Sequence, residues 1–145
     1  QHAQFRRQRQ MCIRDRADCI LLILSILSDD QAIEFINYAN ELKLDCIIEV
    51  HDEDELKRAI KLDYPVIGIN NRNLKSLEIN LNNSINLNQN LTNDYILIAE
   101  SGIKTSDDIK KFNSTGIYNF LIGESLLKSK NKEKKIGELL LNESY

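Results

Sequence analysis

Five short apolar runs, each continuous rather than alternating, constrain the fold of this chain more than any other feature. They are Asp18–Leu24, Cys46–Val50, Val66–Asn70, Tyr95–Glu100 and Asn119–Ile122, and they are rich in Ile. Runs of this length without polar alternation suit strands buried on both faces, as in parallel sheets. The stretches between them have helix grammar. Ser28-Asp29-Asp30-Gln31 reads as a capping box ahead of Ala32, Phe35, Ala39 and Leu42 at helical spacing. Asp52-Glu53-Asp54-Glu55 opens a second helix with Leu56, Ala59 and Ile60 facing inward, and acidic residues in a first turn complement the helix dipole. Pro65 ends it, because the residue before a proline is driven out of the α region. Thr105 caps a helix carrying Ile109 and Phe112, with Gly116 as its stop, and residues 131–141 form the last helix through Ile136, Leu139 and Leu140. The Asn-rich stretch Asn80–Asn93 predicts only a short helix lined by Leu81, Ile85 and Leu91, since Asn is a poor helix former. Its asparagines read as compositional bias rather than functional groups.

The runs start at residues 18, 46, 66, 95 and 119, a spacing that fits βα units. Right-handed crossovers then join parallel neighbours. The class is α/β, and the pattern leaves two architectures open: a doubly wound sheet, or part of a (β/α)8 barrel. The first sixteen residues stand apart. They are rich in Gln and Arg, and Met11-Cys12-Ile13-Arg14-Asp15-Arg16 reads as a non-native flank, with a basic flexible arm as the alternative. The domain is therefore expected over 17–145.

A net charge of −3 from 19 basic and 22 acidic residues does not suggest a nucleic-acid binder. No apolar run reaches the roughly 20 residues of a membrane span, and no secretory signal is visible. A cytoplasmic protein is expected. The cysteines Cys12, Cys19 and Cys46 form no CxxC pair, and Cys19 and Cys46 read as buried small residues. No metal or nucleotide cofactor is indicated. His51 reads as a loop residue without a role, and the oligomeric state is not encoded in any motif.

Polar residues collect where the apolar runs end. Glu49 closes the second, Asn70 the third with Arg72 just beyond, and Glu100 the fourth with Ser101 and Gly102 following. Gly123-Glu124-Ser125 follows the fifth. In either architecture these ends share one rim, where α/β folds bind ligands. A carboxylate between Ile48 and Val50 is costly unless paired or functional. Glu49 is thus either a general acid/base or half of a buried salt bridge, with Arg72 or with a part of the chain that this sequence does not contain as its partner. Glu100 carries the same ambiguity. Asn70 and Arg72 can point into one cavity, Arg72 offering a fork for carboxylate or phosphate; the alternative is a loop cap beside a solvated Arg. Gly102 and Gly123 each let backbone N–H groups approach a phosphate. Glu124 would contribute its N–H while its carboxylate turns away.

These segments resemble indole-3-glycerol-phosphate synthase. The matching pieces are Ala17–Ile23, Ile48-Glu49-Val50-His51-Asp52-Glu53, Ile67-Gly68-Ile69-Asn70-Asn71-Arg72-Asn73-Leu74, Ala99-Glu100-Ser101-Gly102-Ile103 and Phe120-Leu121-Ile122-Gly123-Glu124-Ser125-Leu126. The resemblance implies a (β/α)8 TIM barrel, of which this chain supplies five parallel strands alternating with helices, strands four to eight. It implies closure of the indole ring of 1-(2-carboxyphenylamino)-1-deoxyribulose 5-phosphate with loss of carbon dioxide and water, without a cofactor. Glu49, Asn70 and Glu100 would be the catalytic set. Arg72 and Ser101 would hold the substrate, with Leu21, Leu74 and Ile122 as apolar walls, and Gly102, Gly123 and Glu124 would hold its phosphate. The family's two lysine-bearing segments, Ser-Pro-Ser-Lys-like and Lys-Asp-Phe-like, are not in this sequence, so the chain is expected to be inactive alone. A non-catalytic phosphate-binding half-barrel, or another phosphate-binding barrel such as phosphoribosylanthranilate isomerase, is the alternative.

Overall fold

A computed structural model describes residues 17–91 and 94–140. The flank 1–16, with Cys12, and Leu141 at the expected end of the last helix lie outside the described residues. Five strands form: β1 (Cys19–Ile23), β2 (Asp45–Val50), β3 (Val66–Asn70), β4 (Ile96–Glu100) and β5 (Asn119–Leu121). Six α-helices accompany them: α1 (Asp29–Glu41), α2 (Glu53–Lys61), α3 (Asn82–Asn88), α4 (Ser106–Asn113), α5 (Glu124–Leu127) and α6 (Lys132–Leu140). Among the described residues no helix is long and apolar enough to cross a membrane.

Helix starts follow their caps. Ser28 accepts from Gln31 N–H while the Gln31 side chain accepts from Ser28 N–H. Thr105 and Asp108 do the same for α4, and Asp52 accepts from Glu55 N–H to open α2. Each cap satisfies donors that a helix end leaves orphaned, which contributes about 1 kcal/mol. Arg58 on α2 ties down the 3-10 turn after β1. It donates to the Leu24 and Leu27 carbonyls and pairs with Asp29 at the start of α1.

The sheet is wholly parallel and its strand order is β1-β2-β3-β4-β5. This settles the architecture. A doubly wound sheet reverses direction at a switch point, whereas here every crossover steps to the next neighbour. Crossovers of one hand stepping in one direction place all their helices on one face. That face is the core: Leu22, Cys46, Ile48, Val50, Ile67, Ile69, Leu97 and Ala99 are buried against Ala32, Ala39, Leu56, Ala59, Leu87 and Phe112. Phe112 packs its ring on Phe120 with centroids 5.8 Å apart.

The opposite face departs from the expectation of burial on both sides. Leu21 is 41% exposed, Ile96 53% and Leu121 43%. Continuous apolar runs therefore line two different surfaces, one packed under helices and one left open at Leu21, Ile96 and Leu121. Cys19 lies on this second face at the start of the edge strand and is exposed, contrary to expectation, while Cys46 is buried. Several predicted inward residues also turn out exposed. Leu42 is the C-cap of α1 rather than part of its buried stripe, and Ile136 and Leu140 flank a single buried Leu139 on α6. In α3 the buried pair is Ser84 and Leu87, with Leu81, Ile85 and Leu91 only partly covered.

The uncovered face should make the chain associate. Sedimentation velocity across a hundredfold concentration range is expected to show reversible self-association. A Leu21→Glu/Leu121→Glu variant should reduce it while losing less than about 1 kcal/mol of stability, because surface changes cost little. Concentration-independent monomers would contradict this.

Candidate active site

The parallel register carries Glu49, Asn70 and Glu100 to one place. Glu49 on β2 is opposite Gly68 on β3, and Asn70 on β3 is opposite Glu100 on β4. Because side chains alternate along a strand, all four positions share the face turned away from the helices. Glu49 and Glu100 are each only 3% exposed. Asn70 Nδ2 donates to Glu49 Oε1 at 3.0 Å, and the Glu100 carboxyl lies beside that of Glu49, its buried Oε1 without a hydrogen-bond partner among the described residues. Gly68 makes this possible: a Cβ built there would overlap Glu100 Oε1 and lie 2.9 Å from Ile47 Cγ2.

Two buried carboxyls in contact cannot both ionise cheaply. Burial, then the charge of the adjoining Glu49, push Glu100 up to about 8. Burial pushes Glu49 up as well, but the adjoining His51 and the Asn70 hydrogen bond outweigh it and hold Glu49 below its ordinary value. The two shifts oppose each other: the surroundings favour the neutral form of Glu100 and the ionised form of Glu49.

His51 departs from its sequence reading as a bystander. Its Nε2 lies 3.0 Å from Glu49 Oε1, without hydrogen-bond alignment, and its Nδ1 lies 3.0 Å from Glu55 Oε2. The salt bridge imagined between Glu49 and Arg72 does not form; Arg72 pairs with Glu124 instead. Glu124 also holds Lys128, so its carboxylate is engaged along the rim.

The loop after β3 is built by amide side chains. Asn71, buried, donates to the Glu100 and Ser101 carbonyls and accepts from the N–H and hydroxyl of Ser84 on α3. Asn83 donates to the His51 and Asn70 carbonyls, tying the ends of β2 and β3 together. Asn70 Oδ1 accepts from Arg72 N–H, which turns the chain sharply and brings Arg72 to the rim. After β4, Ser101 at φ 65 and Gly102 at φ 84 turn the chain back. A side chain at Gly102 would collide with Ile79, so this glycine has a packing reason of its own. Gly123 has none, since nothing lies within 4 Å of a Cβ placed there.

A cavity of about 660 Å3 opens between these two turns. Arg72, Ser101, Gly102, Ile122, Gly123 and Glu124 line it, with Lys104, Lys128 and Lys135 bringing positive charge to its walls. Ser125 Oγ, buried in that wall, has no hydrogen-bond partner among the described residues. The carboxylate pair adjoins the cavity through Ser101 and Arg72 rather than lining it. Leu21 and Leu74 do not line it either; Leu21 lies on the uncovered sheet face and Leu74, 46% exposed, in the loop after β3, while Leu121 takes a wall position. Gly68, His51, Glu55, Asn71 and Ser84 were outside the expected site. Only Gly68 carried a signal, as a glycine inside an Ile-rich strand, which marks close approach by another group.

A family model described as Indole-3-glycerol phosphate synthase matches residues 5–139. Among curated proteins, the indole-3-glycerol phosphate synthase of Legionella pneumophila is 48% identical over 124 residues, 86% of this chain and 48% of that protein. The synthase of Delftia acidovorans is 40% identical over 123 residues, 85% of this chain and 46% of that one. That of Acinetobacter baumannii is 49% identical over 113 residues, 77% and 42% respectively. The chain thus spans about half the length of the curated relatives it matches. Of solved structures, a native KDPGal structure superposes with a TM-score of 0.66 at 12% identity, covering 93% of this chain and 62% of that one. A chain of the Amycolatopsis orientalis BexX/CysO complex gives 0.64 at 9%, covering 91% and 56%. At such identities the likeness is of fold alone.

Two outcomes test the geometry. Gly68→Ala should cost about 1–3 kcal/mol by overpacking, and a Gly68→Ala/Glu100→Ala double variant should lose less than the sum of the singles in urea melts. Additive losses would mean that Gly68 does not make room for Glu100. The second concerns pH. Glu100 is raised from an ordinary 4.5 to about 8, so its stabilisation is complete below about 4.5 and is lost as pH rises through about 8. His51 is also raised and adds loss in the same direction, whereas the contribution of Glu49, which is lowered, is lost on the acid side. The urea midpoint of the wild-type chain should fall between pH 6 and 9, and Glu100→Gln should flatten that fall. An unchanged slope in the variant would place the proton elsewhere.

Proposed function

The chain belongs to the indole-3-glycerol phosphate synthase family, and from that premise we propose that it carries the acid/base and phosphate-binding half of a barrel that closes the indole ring of 1-(2-carboxyphenylamino)-1-deoxyribulose 5-phosphate. One observation supports this most: a buried Glu49–Asn70–Glu100 cluster stands on the same rim as a glycine- and lysine-lined cavity. The substrate has an acid/base-sensitive carbon skeleton at one end and a phosphate dianion at the other, and the two sites match those ends.

In this reading Glu49, anionic beside a protonated Glu100, accepts and returns the protons that ring closure and dehydration move. Asn70 holds Glu49 in place and turns Arg72 toward the cavity. Arg72 has five N–H donors, of which one engages Glu124, and it binds the anthranilate carboxylate together with Ser101. The backbone N–H groups around Gly102, Gly123 and Glu124 take the phosphate, and open space over Gly123 admits it closely. Ile122 and Leu121 in the cavity wall supply apolar contact to the aromatic ring. Decarboxylation and loss of water then leave indole-3-glycerol phosphate. A soluble phosphorylated intermediate of this kind points to work in the cytoplasm. The two lysines implied by the resemblance lie in segments that this sequence does not contain, so the 145 residues by themselves are expected to bind but not to turn over substrate. The separation of the cavity from the carboxylate pair favours one second reading, a module that binds phosphate without chemistry.

Fluorescence assays for indole formation test both. The 145-residue chain should give no detectable turnover. A protein extended with the N-terminal segment of the Legionella relative should be active, and Glu49→Gln in that protein should lower kcat at least about a hundredfold while leaving phosphate-competed binding intact. Unaltered kcat in Glu49→Gln would remove Glu49 from the reaction, and binding without turnover in the extended protein would favour the module.

A further inference from the structure

His51 occupies a position that packing does not demand. Its side chain is 10% exposed, between Glu49 at 4% and Glu55 at 14%, so the three groups step outward from the buried pair toward solvent. Each imidazole nitrogen lies 3.0 Å from a carboxylate oxygen: Nδ1 is hydrogen-bonded with Glu55, whereas Nε2 approaches Glu49 without hydrogen-bond alignment, so a small turn of the ring must precede proton passage. The ring is not needed to hold Glu55, because His51 N–H already donates to the same Glu55 oxygen at 2.8 Å. Glu55 is further fixed by the Asp52 cap on its own N–H, and the His51 carbonyl by Asn83. The imidazole is thus clamped at its backbone and flanked by charge at both nitrogens.

We propose that His51 is a positioning residue that stores the proton exchanged by Glu49, with Glu55 fixing which imidazole nitrogen takes part. This rests on the reading of Glu49 as the acid/base group. The Glu55 carboxylate keeps the hydrogen on Nδ1, which leaves Nε2 as the nitrogen facing Glu49. When Glu49 has taken a proton, its O–H bond breaks and the proton passes to the lone pair of Nε2, giving imidazolium and restoring the carboxylate. In the reverse step the Nε2–H bond breaks, its electron pair stays on the nitrogen, and Glu49 becomes the acid. No other reactant is required. The charged groups that face the ring are Glu49 on its own strand, Glu55 on α2 and Glu100 across the sheet on β4; α3 presents only the neutral Asn83 amide. Burial pulls His51 down, but the contact with Glu49, the hydrogen bond to Glu55 and their two charges bring it above the ordinary range, in keeping with a stored proton.

NMR titration of the 145-residue chain tests this without turnover, using 15N-imidazole and 13C-carboxyl labels. His51 should titrate above about 6.5 and, when neutral, carry its hydrogen on Nδ1. Glu55→Gln should lower the His51 titration by about one pH unit and let the Nε2–H tautomer appear. His51→Gln should move the Glu49 titration upward by a similar amount. The proposal is overturned if either folded variant, judged by its amide spectrum, leaves these titrations unmoved, or if wild-type His51 titrates at its ordinary value. Because the readout involves no substrate, a shift here alongside an inactive extended protein would sink the synthase reading and leave the proton store standing.

Discussion

Every crossover in this chain advances by one strand in the same direction, and the rest of the structure follows from that. Right-handed crossovers that never reverse put α1 through α4 on one side of the sheet. The helix side becomes a packed core and the other side becomes a concave face. The C-terminal ends of five parallel strands then fall on one rim, so residues far apart in sequence meet there. Glu49 and Glu100 are brought within hydrogen-bond reach by two strand pairings, not by any local motif.

Against that frame the carboxylate pair is the principal expense of the fold. Burying two acids together is unfavourable, and the structure limits the cost by favouring the neutral form of Glu100 and placing the Asn70 amide and His51 against Glu49. Asn70 and His51 serve Glu49, and Gly68 gives Glu100 the room that any side chain would take. Stability and poise are therefore linked: the arrangement that raises Glu100 is the one that keeps Glu49 charged. A second layer of amides, Asn71 and Asn83 with Ser84, holds the strand ends in register. Asparagines in a run that looks like compositional bias thus do structural work where backbone carbonyls would otherwise lack donors.

The helices were legible because their signals are local. Caps at Ser28, Asp52 and Thr105 act within one turn, and the structure uses all three. Glu49, Asn70, Arg72, Glu100, Gly102 and Gly123 were legible as rim residues because each closes an apolar run. Their pairings were not. Whether Arg72 meets Glu49 or Glu124 depends on the turn that Asn70 imposes after β3, and whether His51 matters depends on α2 beginning at Asp52 and presenting Glu55. The error over Cys19, Leu21 and the second sheet face has a similar origin. A continuous apolar run is the same in a strand covered on both sides and in one whose second side is left open.

What the amino-acid order determined by itself was the periodicity: five strands, the helices between them, and a polar residue closing or following three of the apolar runs, Glu49, Asn70 and Glu100. Those follow from steric and hydrogen-bonding preferences that operate over a few residues. Only the tertiary structure decided that the sheet runs as a barrel segment rather than reversing, that two buried glutamates meet, and that a histidine stands between two carboxylates. The first two depend on the direction of a crossover or on contacts between residues 19 or more positions apart, whose free energy exists only once the strands are paired, while His51 meets carboxylates two and four positions away only because β2 ends and α2 begins around it.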